Sequence, residues 1–139
     1  MSRATRTFKL RLSPAGLDVL IASHCLLIRE TRALLAWGTT LHVAVEHLDT
    51  CSETVLADCL SQVRRAGLAG CEEHHLGAPH RMGEIAGAIA ARYRRAYTDG
   101  PALTLGNLYL AALLQLGQAT RVSLLAAFVR VQAVPTSAR

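Results

Sequence analysis

The chain reads as all-α: a helical bundle of four to five helices with a short extended N-terminal arm. Three observations predict this. Hydrophobic residues make up 51% of the chain and aromatic ones only 4%, with Leu and Ala dominant, the composition of a helical core. Leucine recurs every seventh residue at Leu20, Leu27, Leu34, Leu41 and Leu48, which lines one side of a helix. Around Leu105–Leu116, apolar side chains point in nearly every direction about a helix axis, so that segment belongs in the interior. At 139 residues one domain is enough to bury most of the apolar surface. The expected division is a basic extended arm over 1–12, a helical bundle over 13–134 and a disordered tail over 135–139.

Residues 5 to 12 alternate, with Phe8, Leu10 and Leu12 on one side and Thr7, Lys9 and Arg11 on the other. Period two marks a half-buried strand. No second strand is evident downstream, so the arm is expected to lie on the bundle or pair with a neighbour's sheet. Ser13 then offers an oxygen to free backbone N–H groups, and Pro14 fits the first helical turn. A helix is expected from Ser13 to Leu48, roughly 50 Å long if unbroken, with a weak point at Gly38-Thr39-Thr40. Trp37 is expected as a core or interface anchor and His24 as a hydrogen-bonded core histidine.

Thr50-Cys51-Ser52-Glu53 has the capping-box pattern, opening a second helix with Val55, Leu56, Cys59, Leu60 and Val63 inward and Gly67 at its end. Residues 67 to 80 read as a polar loop. Cys71, His74, His75 and His80 are zinc-ligand types, but their spacing matches no standard site, and no metal is assigned. A third helix is expected from His80 to Thr98, stopped by Asp99-Gly100-Pro101. Thr104 caps a fourth helical region, Leu105 to Val134, with Gly117 as a bend or split.

The net charge is +5, carried by 14 arginines and Lys9. Arginine's planar fork suits phosphate and carboxylate, so an acidic partner fits the balance. The expected nucleic-acid contacts are Arg3, Arg6, Lys9 and Arg11 in the arm, Arg64 and Arg65 at the end of the second helix, and Arg92, Arg94 and Arg95 in the third. The last three interleave with Tyr93 and Tyr97, offering phosphate contacts beside stacking faces. The four cysteines form no CxxC pair, no secretory pattern opens the chain, and no run of about 18 apolar residues occurs. A reduced, cytoplasmic protein without a membrane span is therefore expected. The sequence holds no P-loop, GxSxG, GxGxxG or HExxH. No catalytic residue and no cofactor is assigned, and the chain is not read as an enzyme.

Two resemblances sharpen the functional reading. The opening TRTFKLRLSP, followed by a leucine-rich helix containing His24, Arg29 and Arg32, resembles the N-terminus of type V CRISPR effector nucleases. There a basic strand leads into the helical recognition lobe. Because the nuclease acids are missing here, that resemblance implies at most a guide-holding part. By size, helical class and charge, the chain also resembles the helical small subunits of multi-subunit CRISPR effector complexes. Those pack in rows and contact phosphates without doing chemistry. The resemblance implies a non-catalytic ribonucleoprotein subunit whose partners are RNA or DNA backbone and other protein subunits, copies of itself among them. The alternative is an oligomeric protein-interaction bundle without nucleic acid, assembled through the Leu105–Leu116 segment or the first helix.

Overall fold

The computed structural model describes residues 5–100 and 102–133. The N-terminal residues 1–4, with Arg3, and the expected tail 135–139 lie outside them. Six helices and one two-stranded sheet follow in the order β1 (Thr5–Leu12), α1 (Pro14–Thr31), α2 (Trp37–Asp49), α3 (Glu53–Arg65), β2 (Glu72–Pro79), α4 (His80–Ala96), α5 (Leu105–Gln118) and α6 (Arg121–Ala133). The protein is mostly helical, but it is not strictly all-α, and it has more helices than the expected four to five.

The first correction concerns the arm. β1 pairs antiparallel with β2, with Phe8 opposite Leu76 and Leu10 opposite His74. The segment expected as a loop over 67–80 thus contains the missing second strand. Its residues, Glu72-Glu73-His74-His75-Leu76-Gly77-Ala78-Pro79, have little intrinsic strand preference, and tertiary pairing overrides it. Leu10, Leu12, Leu76 and Ala78 are buried, while Lys9, Arg11, Glu73 and His75 are exposed. Alternation across the pleat places His74 and His75 on opposite faces, so the two rings do not converge on one ion.

The long first helix is in fact two. Ser13 caps α1 as expected, its side chain accepting from the Gly16 N–H. α1 ends at Arg32, which takes a left-handed conformation (φ 57°) and returns its N–H to the Ile28 carbonyl. The break has a packing cause. Every residue of α2 from Leu41 to Leu48 is buried, whereas the middle of α1 is exposed at Ile21, Ala22 and Cys25. In an unbroken helix Trp37 would lie roughly 20 Å along the axis from His24, yet the two rings stack 3.8 Å apart, so the chain turns at Arg32 and α2 runs back into the interior against α1. The heptad therefore spans two elements, and its Leu34, in the connection, is 96% exposed.

α3 is capped by Ser52, whose side chain accepts from Val55 N–H, while Thr50 instead ends α2. α4 matches the expected third helix closely. The fourth region divides: Thr104 caps α5 through the Asn107 N–H, and Thr120 caps α6 through the Ser123 N–H. α5 lies at the centre, touching α1, α2, α3, α4 and β1, with Leu108 to Leu113 and Leu116 buried. The expectation that this segment sits in the interior is met within one chain, which removes it as an oligomer interface.

Two close approaches lock helices to the sheet layer. A Cβ on Gly38 would lie 1.6 Å from the Gly77 carbonyl oxygen, and one on Gly16 would lie 2.1 Å from that of Leu68. At the start of α2, backbone therefore rests on the backbone of β2. Gly38→Ala should cost about 2 kcal/mol or more in urea denaturation, because neither backbone can yield cheaply. Gly87, exposed in α4 with open space at its Cβ position, serves as the contrast. Gly87→Ala should stabilise by about 0.5–1 kcal/mol.

Candidate nucleic-acid interface and the polar core behind it

The cationic side chains divide according to what already neutralises them. Lys9 and Arg11, on the outward face of β1, share Glu73 at 3.7 and 3.1 Å. Arg92 is forked between two elements. Its Nη1 reaches Asp49 Oδ1 at 2.8 Å, its Nε reaches Glu53 Oε2 at 3.2 Å, and its Nη2 donates to the Asp49 carbonyl at 3.3 Å. The hydrogen bond to Asp49 is the main reason its pKa is raised. This arginine fastens α4 to the end of α2 and the start of α3.

Arg121 pairs with Glu30, and Arg81 and Arg130 pair with Glu46. Among the described residues that leaves Arg6, Arg29, Arg32, Arg64, Arg65, Arg94 and Arg95 exposed and without a carboxylate. Arg6 lies over the Phe8 ring, 5.6 Å from its centre.

The free arginines do not form one patch. Glu53, in the first turn of α3, is the residue that touches Arg92, so Arg64 lies three turns further along, roughly 16 Å down the helix axis. Arg64-Arg65 and Arg94-Arg95 are two separate pairs, each at a helix C-terminus where cations suit the dipole. The expected stacking faces beside the second pair are largely absent. Tyr93 is buried and packs against Tyr97, with ring centres 5.0 Å apart.

Arg29 and Arg32 are additional free cations at the end of α1. They line a groove of about 470 Å³ with Cys25, Ile28, Ala33 and Leu34. On another face of α1, where His24 is buried, Trp37 stacks on His24, ring centres 3.8 Å apart and 17° from parallel. His24 Nδ1 hydrogen-bonds the Thr40 hydroxyl at 2.6 Å, so the histidine is a bonded core residue, as expected, and Trp37 anchors α2 on α1 while keeping 43% of its surface exposed.

Behind this surface lies a cluster that periodicity concealed. His42, Glu46 and His47 are all buried on α2. Glu46 Oε2 meets Arg81 Nε at 3.4 Å, its Oε1 meets Arg130 Nε at 3.5 Å, and its carbonyl accepts from Arg130 Nη2 at 3.2 Å. One buried carboxylate thereby holds the first turn of α4 and the last turn of α6. The His42-x-x-x-Glu46 spacing was the available signal, because i and i+4 share a helix face.

Burial is the main cause lowering the pKa of His42, opposed by Glu46 and reinforced by Arg81. Burial, then Arg130, lowers that of His47. His42 is therefore neutral at pH 7, and its 3.8 Å approach to Glu46 is not an ion pair there. His42 Nε2, Glu46 Oε2 and His47 Nδ1 are buried without a hydrogen bond. Comparison with protein-family models, with curated proteins and with solved structures finds no match for this chain.

Two measurements follow from the cluster. Glu46→Gln should cost about 2 kcal/mol in urea denaturation, since it leaves two arginines and two helix ends without their shared anion. The second concerns pH. His24, His42 and His47 bind protons less readily folded than unfolded, where imidazole titrates near 6.5. Their contribution to stability is complete above that value and is lost as pH falls from it towards the lowered folded values. The urea midpoint should thus drop between pH 7 and pH 5, and the drop should shrink in a His42→Gln, His47→Gln variant.

Proposed function

We propose that this chain is a non-catalytic helical unit of a ribonucleoprotein assembly, contacting RNA or DNA backbone through arginines and packing on neighbouring protein. The observation that carries the reading is the set of exposed arginines that the protein's own carboxylates leave free, chiefly Arg64, Arg65, Arg94 and Arg95 on two helix ends, with Arg6 on β1. Guanidinium groups held at helix ends without internal partners suit phosphate oxygens and read no sequence. Lys9, Arg11 and Arg92 drop to minor roles in this reading, since each already has a carboxylate. Its non-catalytic part rests on the sequence, which carries none of the nucleophile, phosphate-cradle or zinc-hydrolase signatures considered above. No helix among the described residues is long and apolar enough to cross a membrane.

A protein-interaction bundle without nucleic acid is the second reading. It is favoured by one observation, the apolar side chains open on and just after α1, with Ile21, Cys25 and Leu34 exposed and Ile28 half-buried in the groove it shares with Arg29 and Arg32. The two readings separate in a titration of fluorescently labelled single-stranded RNA, repeated at several salt concentrations. The nucleic-acid reading expects affinity to fall linearly in log–log form with salt, with a slope of about 0.7 per phosphate neutralised. Arg64→Glu with Arg65→Glu, and Arg94→Glu with Arg95→Glu, should each weaken binding about tenfold or more and flatten the slope. RNA affinity that is undetectable at low salt, or indifferent to both charge reversals, hands the function to the interaction bundle.

A further inference from the structure

We propose that the exposed face of α1 pairs antiparallel with the same face of a second copy of this chain. The inference rests on the reading of that face as a protein-docking surface and names what docks there. Asp18, Ile21, Cys25 and Ile28 follow one another on α1 at spacings of three and four residues, the pattern of a seam between two helices, and Arg32, just past its end, lines the same groove as Cys25 and Ile28. Asp18, Ile21 and Cys25 on this seam are exposed. Ile21 keeps 41% of its surface open, and Leu34, beside the seam's end, keeps 96%. An aliphatic ridge of this kind at a groove is what a partner helix covers.

Charge selects the partner and its direction. Asp18, near the start of α1, and Arg29 and Arg32, at its end, have no ion-pair partner among the described residues. An antiparallel copy brings Asp18 of each chain to Arg29 and Arg32 of the other, and two-fold symmetry makes the contact twice. A parallel copy sets like charges together. Nucleic acid would engage the two arginines but would meet Asp18 with like charge and leave Ile21 and Leu34 wet.

Shape agrees with charge. Ala22 and Cys25, midway along the seam, are small enough for the helix axes to approach closely. With the two-fold axis at Cys25, Asp18 of the second copy falls opposite Arg32 and Ile21 opposite Arg29, at the groove that Ile28, Arg29, Arg32 and Leu34 line. Ridge and groove on one helix thus complement themselves.

The test uses the full chain carrying Cys71→Ser, so that Cys25 is the remaining exposed thiol among the described residues. Sedimentation should show a concentration-dependent dimer, and a short bis-maleimide should link it covalently, with the link lost on Cys25→Ser. Ile21→Asp should weaken dimerisation about tenfold or more. Asp18→Arg should do the same, and adding Arg29→Asp with Arg32→Asp should restore the dimer. All of these positions are at the surface, and an unchanged circular dichroism spectrum confirms that the variants fold.

A chain that stays monomeric at every concentration, or a dimer indifferent to Ile21→Asp, overturns the self-pairing. Binding of the dye anilinonaphthalene sulfonate, read beside a Leu34→Asp variant, distinguishes the two levels. A monomer whose dye binding is lost in that variant refutes self-pairing and leaves the docking surface standing. A monomer that binds no dye there refutes both.

Discussion

A carboxylate buried in an apolar helix must be neutralised, and Glu46 imposes that demand on the whole chain. α2 is buried from Leu41 to Leu48, so water cannot supply the counter-charge. Two other elements supply it, Arg81 from the first turn of α4 and Arg130 from the last turn of α6. Arg81 in turn lies two residues after β2, whose position is set by its pairing with β1 and by the backbone contact of Gly77 with Gly38. The sheet, the start of α4 and the middle of α2 are therefore fixed together. Both arginines keep part of their surface in water, which limits the desolvation they suffer and lets their stems cover the apolar layer.

The same accounting decides what remains for a partner. Arginines that hold the fold together do so through carboxylates on other elements: Arg92 across three helices, Arg121 between α6 and α1, and Arg81 and Arg130 at Glu46. What is left among the described residues lies at helix ends, on α1 and, with Arg6, on β1. Their positive charge sits in side chains without a carboxylate partner, and these are the ones that partner binding can engage without breaking an ion pair that holds the fold.

Much of the helical content was legible in the chain because local signals and packing agree there. Ser13-Pro14, Thr104 and the periodicity expected over His80 to Thr98 each specify a boundary or a face that tertiary structure leaves nearly alone, α4 ending two residues earlier, at Ala96. The apolar Leu105–Leu116 run reads as buried on all sides, in the bundle centre or between subunits, and the chain itself buries Leu108 to Leu113. Three features escaped because their cause is not local. β2 owes its strand conformation to β1, not to Glu, His, Gly and Pro. The break after Thr31 comes from burial of α2 on every side, which a seven-residue leucine repeat disguises as continuity. Glu46 and the two histidines beside it look like the polar face of a surface helix until the arginines from α4 and α6 are in place. Of the nine cations singled out by density alone, Lys9, Arg11 and Arg92 proved to have internal partners, a distinction that only the fold can draw.

The pairing of β1 with β2 also sets an order of assembly. The strand that is made first hydrogen-bonds to one made only after three helices, and Leu12 and Ser13 are further tied to Ala69 and Leu68. Closing so distant a contact is slow compared with forming helices. During synthesis, Phe8, Leu10 and Leu12 therefore leave the ribosome well before anything exists to cover them. Lys9 and Arg11, which alternate with those residues, and Arg6 beside Phe8 then have a use that precedes any partner: they keep a bare, strand-forming segment charged and soluble until its mate arrives.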